Sequence, residues 1–262
     1  MTTRHVVRQD GRFAYKEFTK LKCFMMEKKA LEVLEPHPFV TQMIDSYMED
    51  HLCIIQMTFY DGCDVHTWIR RKNITAPRFV CHVAKKVLLA LDYAERHHIW
   101  HRDIKPENIM IDQHGIVKLI DWELCSFRIH SRSYVGTKEY MPPEIFHRVA
   151  YNCQKVDMWC LGVTVFCMLT GIRPYGNLKG LDVDHFEDEY VQAMFCREWD
   201  LLWRSFEQKS SFPTLPRNIK DFLQALLCVR PDERPSIIEA MEMEALYDHA
   251  TTSELKAELA TV

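Results

Sequence analysis

The stretch His101-Arg102-Asp103-Ile104-Lys105-Pro106-Glu107-Asn108 limits what this chain can become more than any other part of it. It sets a carboxylate, an amine two residues on and an amide three beyond that in one polar loop. Apolar segments flank the loop on both sides. Upstream, Val80, Val83, Ala84, Val87, Leu88, Leu91 and Ala94 recur at helical spacing, which predicts a helix with a buried face. Downstream, Ile109-Met110-Ile111 and Ile116 to Ile120 predict two short strands around a turn at His114-Gly115, and a second carboxylate, Asp121, follows directly.

Phosphoryl transfer needs such a set, because the protein has little covalent work to do and acts by positioning and charge neutralisation. The stretch resembles the catalytic loop of the eukaryotic protein kinases, with Lys105-Pro106-Glu107-Asn108 in the serine/threonine form. The resemblance implies an α+β fold of two lobes, a small, mostly β N-lobe and a larger, mainly α-helical C-lobe. It implies Asp103 as catalytic base, Lys105 on the transferred phosphate, and Asn108 with Asp121 as ligands of Mg²⁺ or Mn²⁺, with ATP as donor. Phe13-Ala14-Tyr15-Lys16, after a hairpin turn at Asp10-Gly11, resembles the strand whose lysine grips the nucleotide phosphates. Glu27, with Leu31 and Leu34 at helical spacing ahead of Pro36-His37-Pro38, resembles the glutamate that pairs with it. By the same resemblance Gln56 stands at the gatekeeper position and Met57 to Phe59 form the hinge that bonds adenine. Ala14 and Met110 then line the nucleotide site.

Asp121 to Glu144 is similar to the family's activation segment. Ser133, three residues before Gly136-Thr137, stands where a regulatory phosphoserine is often found, and Arg102 is a cation able to receive it. A plain solvated serine fits the same residues. Gly136 to Glu144 resembles the substrate-docking end, with Pro142 where alanine is usual. Glu144 is expected to pair with Arg234, and Asp157, which enters an apolar helix, to bond the backbone of the catalytic loop; both are structural roles.

Two features depart from the family pattern. Asp121-Trp122-Glu123 stands where Asp-Phe-Gly is most common, so Glu123 sets a further carboxylate beside Asp121, to disturb the metal site or join it. No glycine precedes Gly11, so a shortened small lobe without the glycine-rich lid is expected. Two functions stay open: a serine/threonine kinase acting on a protein substrate, or a pseudokinase serving as scaffold, decoy or regulator of a partner kinase. A small-molecule kinase of related fold fits Lys105 and Pro142-Pro143-Glu144 less well.

Composition narrows the rest. Apolar residues at 47% and charged residues at 27% of 262 describe a globular chain able to bury a large core. With 33 basic and 37 acidic residues, the net charge of -4 makes no electrostatic case for nucleic acid or an anionic membrane. Met1-Thr2-Thr3-Arg4-His5 lacks a signal peptide's apolar segment, and Met158 to Leu169, interrupted by Gly162 and Thr164, is too short to span a bilayer and reads as a buried helix. Ten cysteines without a Cys-x-x-Cys pair read as reduced thiols of a cytoplasmic or nuclear protein. Thirteen histidines show no ligand-like clustering, and His97-His98 reads as a helix end. The expected divisions are 1–60 for the small lobe, 61–248 for the large lobe and 249–262 for a helical tail, with oligomeric state left open.

Overall fold

The computed structural model describes residues 4–7, 12–49, 51–72, 76–112, 114–147, 149–171, 173–174, 197–208, 214–247, 251 and 253–254. The chain opens with a four-stranded antiparallel sheet built from β1 (Arg4–Val7), β2 (Phe13–Phe18), β3 (Met43–Glu49) and β4 (Leu52–Thr58), in the order β1-β2-β4-β3. The expected turn at Asp10-Gly11 lies outside the described residues. Helix α1 (Leu21–Leu34) lays Phe24, Glu27, Ala30, Leu31 and Leu34 into the interior at three- and four-residue intervals, as an amphipathic helix must. It stops at Glu35 because a residue before proline is pushed into the extended region, and Glu35 sits at φ -89°, ψ 146°.

By composition Val40 to Ile44 reads as a strand, but β3 begins only at Met43. Pro36 and Pro38 keep the chain irregular, and Val40 instead makes a parallel bridge to Leu119. That bridge, with Leu119 N–H donating to Phe39 O (2.8 Å) and Thr41 N–H to Leu119 O (3.2 Å), ties the sheet to the helical part of the molecule.

A second sheet, β5 (Gly62–Asp64), β6 (Ile109–Asp112) and β7 (Val117–Leu119), lies along this junction. The two strands after the catalytic loop therefore form, with Gly115 turning at φ 75°. Ile116 and Ile120 fall outside β7, and Ile116 is exposed. Gly62 packs so tightly on β6 that a Cβ there would lie 2.0 Å from Ile111 O and 2.5 Å from Asp112 Cα. Gly62→Ala must push β5 off its neighbour. It is expected to destabilise the fold by about 1–3 kcal/mol, the usual range for overpacking, visible as a melting temperature several degrees lower; an unchanged melt would contradict this packing.

The rest is helical. Short α2 (Val65–Lys72) leads to α3 (Pro77–Arg96), which starts with proline at its first position, ends at His97-His98 as expected, and buries the stripe read from the sequence. After β8 (His130–Ser131), α4 (Pro143–Phe146) and β9 (Tyr151–Asn152) comes α5 (Cys153–Thr170). All of α5 beyond its first turn is buried, so it is the centre of the large unit. Asn152 caps it by accepting from the Gln154 and Lys155 N–H groups, and Gly171 closes it at φ 70°.

Then follow α6 (Trp199–Glu207), α7 (Arg217–Leu226) and α8 (Ile237–Met241). Apolar periodicity reads a helix over Lys220 to Val229, but Pro216 sets the start of α7 one turn earlier, at the polar Arg217-Asn218 that periodicity does not register. The sequence also reads as helical from Glu239 to Val262; the described part of that stretch holds the end of the short α8, opened by a Ser236/Glu239 capping box, and a 3-10 turn at Glu244–Leu246. The tail 249–262 lies outside the described residues apart from 251, 253 and 254. No helix among the described residues is long and apolar enough to cross a membrane.

Candidate active site

Strand β2 carries Lys16 fully buried. Register sets Lys16 opposite Ile55 and Ala14 opposite Met57, so all four share the face that α1 covers. Lys16 Nζ donates to Glu27 Oε2 (2.5 Å) and Asp121 Oδ1 (2.7 Å) and lies 3.6 Å from Glu123 Oε2. Burial alone would lower the Lys16 pKa, yet the Glu27, Asp121 and Glu123 carboxylates together hold it above the ordinary lysine range. Burial pushes Glu27 up to about 7 against the pull of Lys16, and its buried Oε1 has no hydrogen-bond partner among the described residues. Lysine and glutamate, eleven residues apart, thus meet as expected.

The catalytic loop is fixed from below. Asp157, buried in α5, accepts from the N–H groups of His101 (2.9 Å) and Arg102 (2.6 Å). Burial lifts its pKa to about 7 against these two bonds. They hold Arg102 at φ 67°, a left-handed conformation that costs a non-glycine residue of order 1–3 kcal/mol. His101 is buried, and desolvation lowers the pKa of its ring. Its Nδ1 accepts from the Asp103 N–H (3.2 Å), so Nε2–H must donate to Ile120 O (3.0 Å). Its ring also meets Trp122 at 4.6 Å, edge on. Asp121 adopts φ 65°, which aspartate tolerates better than most side chains.

Asp103 is bonded at both oxygens. Oδ1 accepts from the Thr137 N–H and hydroxyl, each at 2.8 Å, and Oδ2 from Lys105 Nζ (2.7 Å) and Asn108 Nδ2 (3.2 Å). Lys105 also donates to Thr137 Oγ1 (2.8 Å). Asn108 Nδ2 bonds Asp103 O (2.8 Å) as well; both its partners are acceptors, which assigns the amide and leaves Oδ1 as its acceptor.

Lys105, Asn108 and Thr137, the three side chains bonded to Asp103, open onto a cavity of about 560 Å³. Ala14, Lys16, Glu27, Met57, Phe59, Met110, Lys105, Asn108, Asp121 and Thr137 all line it. One position moves. Gln56 stands opposite Tyr15, on the other face from Lys16, and does not line the cavity, whereas Met57, on the Lys16 face, does. Thr58, Phe59 and Tyr60 continue that lining. The Thr58 N–H donates to Gln42 O and the Phe59 N–H to Arg12 O, while the Tyr60 N–H has no hydrogen bond among the described residues. Tyr60, Thr41, Asp64 and Glu107 also line the cavity, and sequence reasoning passed over them. Asp64 had a legible signal: its carboxylate caps α2 by accepting from the Thr67 N–H (2.6 Å) and hydroxyl (3.0 Å).

Ser133 lies elsewhere. A second cavity, between α1 and the activation segment, is lined by Lys22, Arg102, Arg128, Arg132, Ser131 and Ser133 among others. The serine that Arg102 touches is Ser131, whose Oγ accepts from Nη1 at 3.0 Å. Ser133 is one step removed, its N–H donating to Ser131 Oγ (3.1 Å) and its carbonyl accepting from the Tyr151 hydroxyl (2.7 Å). Pairing of β8 with β9 sets Ser131 opposite Tyr151 and so makes the choice. Arg234 meets Glu144 as expected, at 2.6 and 2.8 Å.

Residues 7–246 match the protein kinase domain. The chain is 32% identical over 154 residues to a cGMP-dependent protein kinase of Plasmodium berghei (strain Anka), covering 58% of this chain and 18% of that protein. It is 31% identical over 229 residues to serine/threonine-protein kinase 32B of Homo sapiens, covering 76% of this chain and 54% of that protein. It therefore spans about half the length of the human relative and under a fifth of the other. The domain match runs across both the sheet and the helical unit and takes in every residue of the cleft, and the chain belongs to the protein kinase family of the eukaryotic serine/threonine type.

Proposed function

We propose that this chain transfers the γ-phosphate of ATP to a serine or threonine hydroxyl of a protein substrate. The observation that carries the reading is Asp103 bonded to Lys105, Asn108 and Thr137, three residues that line one cleft together with Lys16 and Asp121. Asp103 receives the substrate hydroxyl proton. Lys105, already between Asp103 and Thr137, steadies the phosphate as it crosses. Lys16 grips the phosphates further in, and the Tyr60 N–H meets the adenine edge. The donor set suits a hard cation: Asn108 offers Oδ1 and Asp121 a carboxylate. Bound there, Mg²⁺ or Mn²⁺ would neutralise phosphate charge.

Ser133 and Ser131 are the candidates for a regulatory phosphate. Arg102, Lys22, Arg128 and Arg132 around the second cavity would receive it, and direct contact with Arg102 favours Ser131. The described cysteines are all free thiols, which suits a cytoplasmic or nuclear setting. A pseudokinase acting as scaffold or decoy is the second reading, favoured by Glu123 drawing on the lysine that phosphate needs.

Labelled ATP with Mg²⁺ or Mn²⁺, offered with the chain alone and with a generic basic protein, tests the reading. Transfer of label is expected, together with thermal stabilisation of about 2.7 kcal/mol at nucleotide a hundredfold above Kd. Stabilisation without transfer would favour the pseudokinase, and neither would sink the nucleotide reading altogether.

A further inference from the structure

We propose that Glu123 sets how tightly the cleft takes nucleotide, by holding Lys16 as a third carboxylate partner that a phosphate must displace. The proposal rests on the nucleotide-binding reading above and concerns one residue at which this chain departs from the usual family pattern. Three carboxylates, Glu27, Asp121 and Glu123, bring an oxygen each within 4.8 Å of one another, and one ammonium, Lys16, lies among them. The cluster carries more negative than positive charge. A phosphate that approaches Lys16 therefore meets repulsion as well as attraction, in a site where burial weakens screening.

The three partners do not compete equally. Glu27 is fully buried at 2.5 Å from Lys16 Nζ and is anchored in α1; Asp121 is at 2.7 Å and pinned by its backbone. Glu123 is the longest contact, at 3.6 Å, with 20% of its side chain exposed. It is the partner able to turn to water and let phosphate in. Its backbone is not among the residues with positive φ, so a side chain sits at this position without strain, although glycine is usual there in the family. The extra carboxylate is thus seated beside Lys16, just outside the residues that line the cavity, and its charge acts on the cleft through that ammonium.

A metal-ligand role for Glu123 predicts the opposite effect, which makes the proposal decidable. Binding of a fluorescent N-methylanthraniloyl ATP would be measured with the full chain, in EDTA and in Mg²⁺, at low and high salt. The variants are Glu123→Gln, which keeps the shape, and Glu123→Gly. Glu32→Gln serves as control, because it removes a charge from the exposed face of α1, where Glu32 pairs with Lys28. The Glu123 variants are expected to bind in EDTA at low salt roughly two- to fivefold more tightly than the parent, the size expected of a partly exposed ion pair. High salt should shrink the gain, and Glu32→Gln should show none. Equal or weaker binding in both Glu123 variants overturns the proposal, and weaker binding confined to Mg²⁺ overturns it in favour of a metal ligand. An equal gain in Glu32→Gln overturns it in favour of overall charge. If the parent and all variants bind nothing under any condition, the nucleotide-binding reading itself fails and the proposal with it.

Discussion

Exchange of Asp103 for asparagine is expected to lower phosphate transfer by roughly 10²–10⁴-fold, the usual contribution of a positioned general base, while nucleotide binding persists. An amide has no basicity for a hydroxyl proton at any accessible pH, so the chemical loss is complete. The structural loss is partial. The amide oxygen can keep both bonds from Thr137, now held at Oδ1, and the new NH₂ then faces Lys105 and Asn108, both donors to Oδ2. Lys105 has an exit, since 18% of its side chain is exposed and water can take its ammonium. The Asn108 amide keeps its bond to Asp103 O. A net cost of about 1–2 kcal/mol is expected, one hydrogen bond with its desolvation, against a rate loss several times larger in free energy. Label transfer at saturating nucleotide and a thermal melt separate the two. An asparagine variant that kept a tenth of the parent rate would place the base elsewhere.

The catalytic loop was legible because its residues are contiguous and its flanking segments have clear periods. Asp157 was legible for another reason: a carboxylate entering a helix of Val156, Met158, Trp159 and Leu161 must find donors, and it found the two N–H groups of the loop. The Lys16–Glu27 meeting was implied by the family resemblance, while helical spacing and strand composition placed only the elements that carry the two residues. Facing within β4 was hidden. Cys53 to Met57 is almost continuously apolar, so no alternation tells Gln56 from Met57, and the side of the strand that meets the cleft emerges only from pairing with β2. Likewise Ser131 and Ser133 look alike in sequence. What separates them is a two-residue ladder to Tyr151 and Asn152, some twenty residues away, and so short a strand leaves no pattern of its own. Tyr60 was passed over because nothing in its side-chain chemistry marks it as lining the cavity.

Removal of Glu144 should do the most damage to stability. Arg234 has five N–H donors, and each has an acceptor: Nε meets Cys228 O at 2.6 Å, Nη1 meets Glu144 Oε1 at 2.6 Å and Lys155 O at 2.7 Å, and Nη2 meets Glu144 Oε2 at 2.8 Å and Val229 O at 3.3 Å. The guanidinium has no exposed surface and lies 4.8 Å from the Trp159 ring, so it packs against α5 as well as bonding around it. Glu144→Ala leaves that cation buried with two donors bare and no route to water. Breaking such a pair from one side costs about 3–5 kcal/mol, and guanidinium denaturation should show the midpoint falling with an unchanged slope. Arg234→Lys should not rescue the fold, because three donors on a point charge cannot satisfy five acceptors set out for a fork. Replacing both partners, as Glu144→Leu with Arg234→Met, should recover part of the loss, since no charge is then stranded. A single Glu144→Ala variant within about 1 kcal/mol of the parent, the worth of an exposed pair, would mean that water reaches the guanidinium and that α4 is not anchored to the large unit through it.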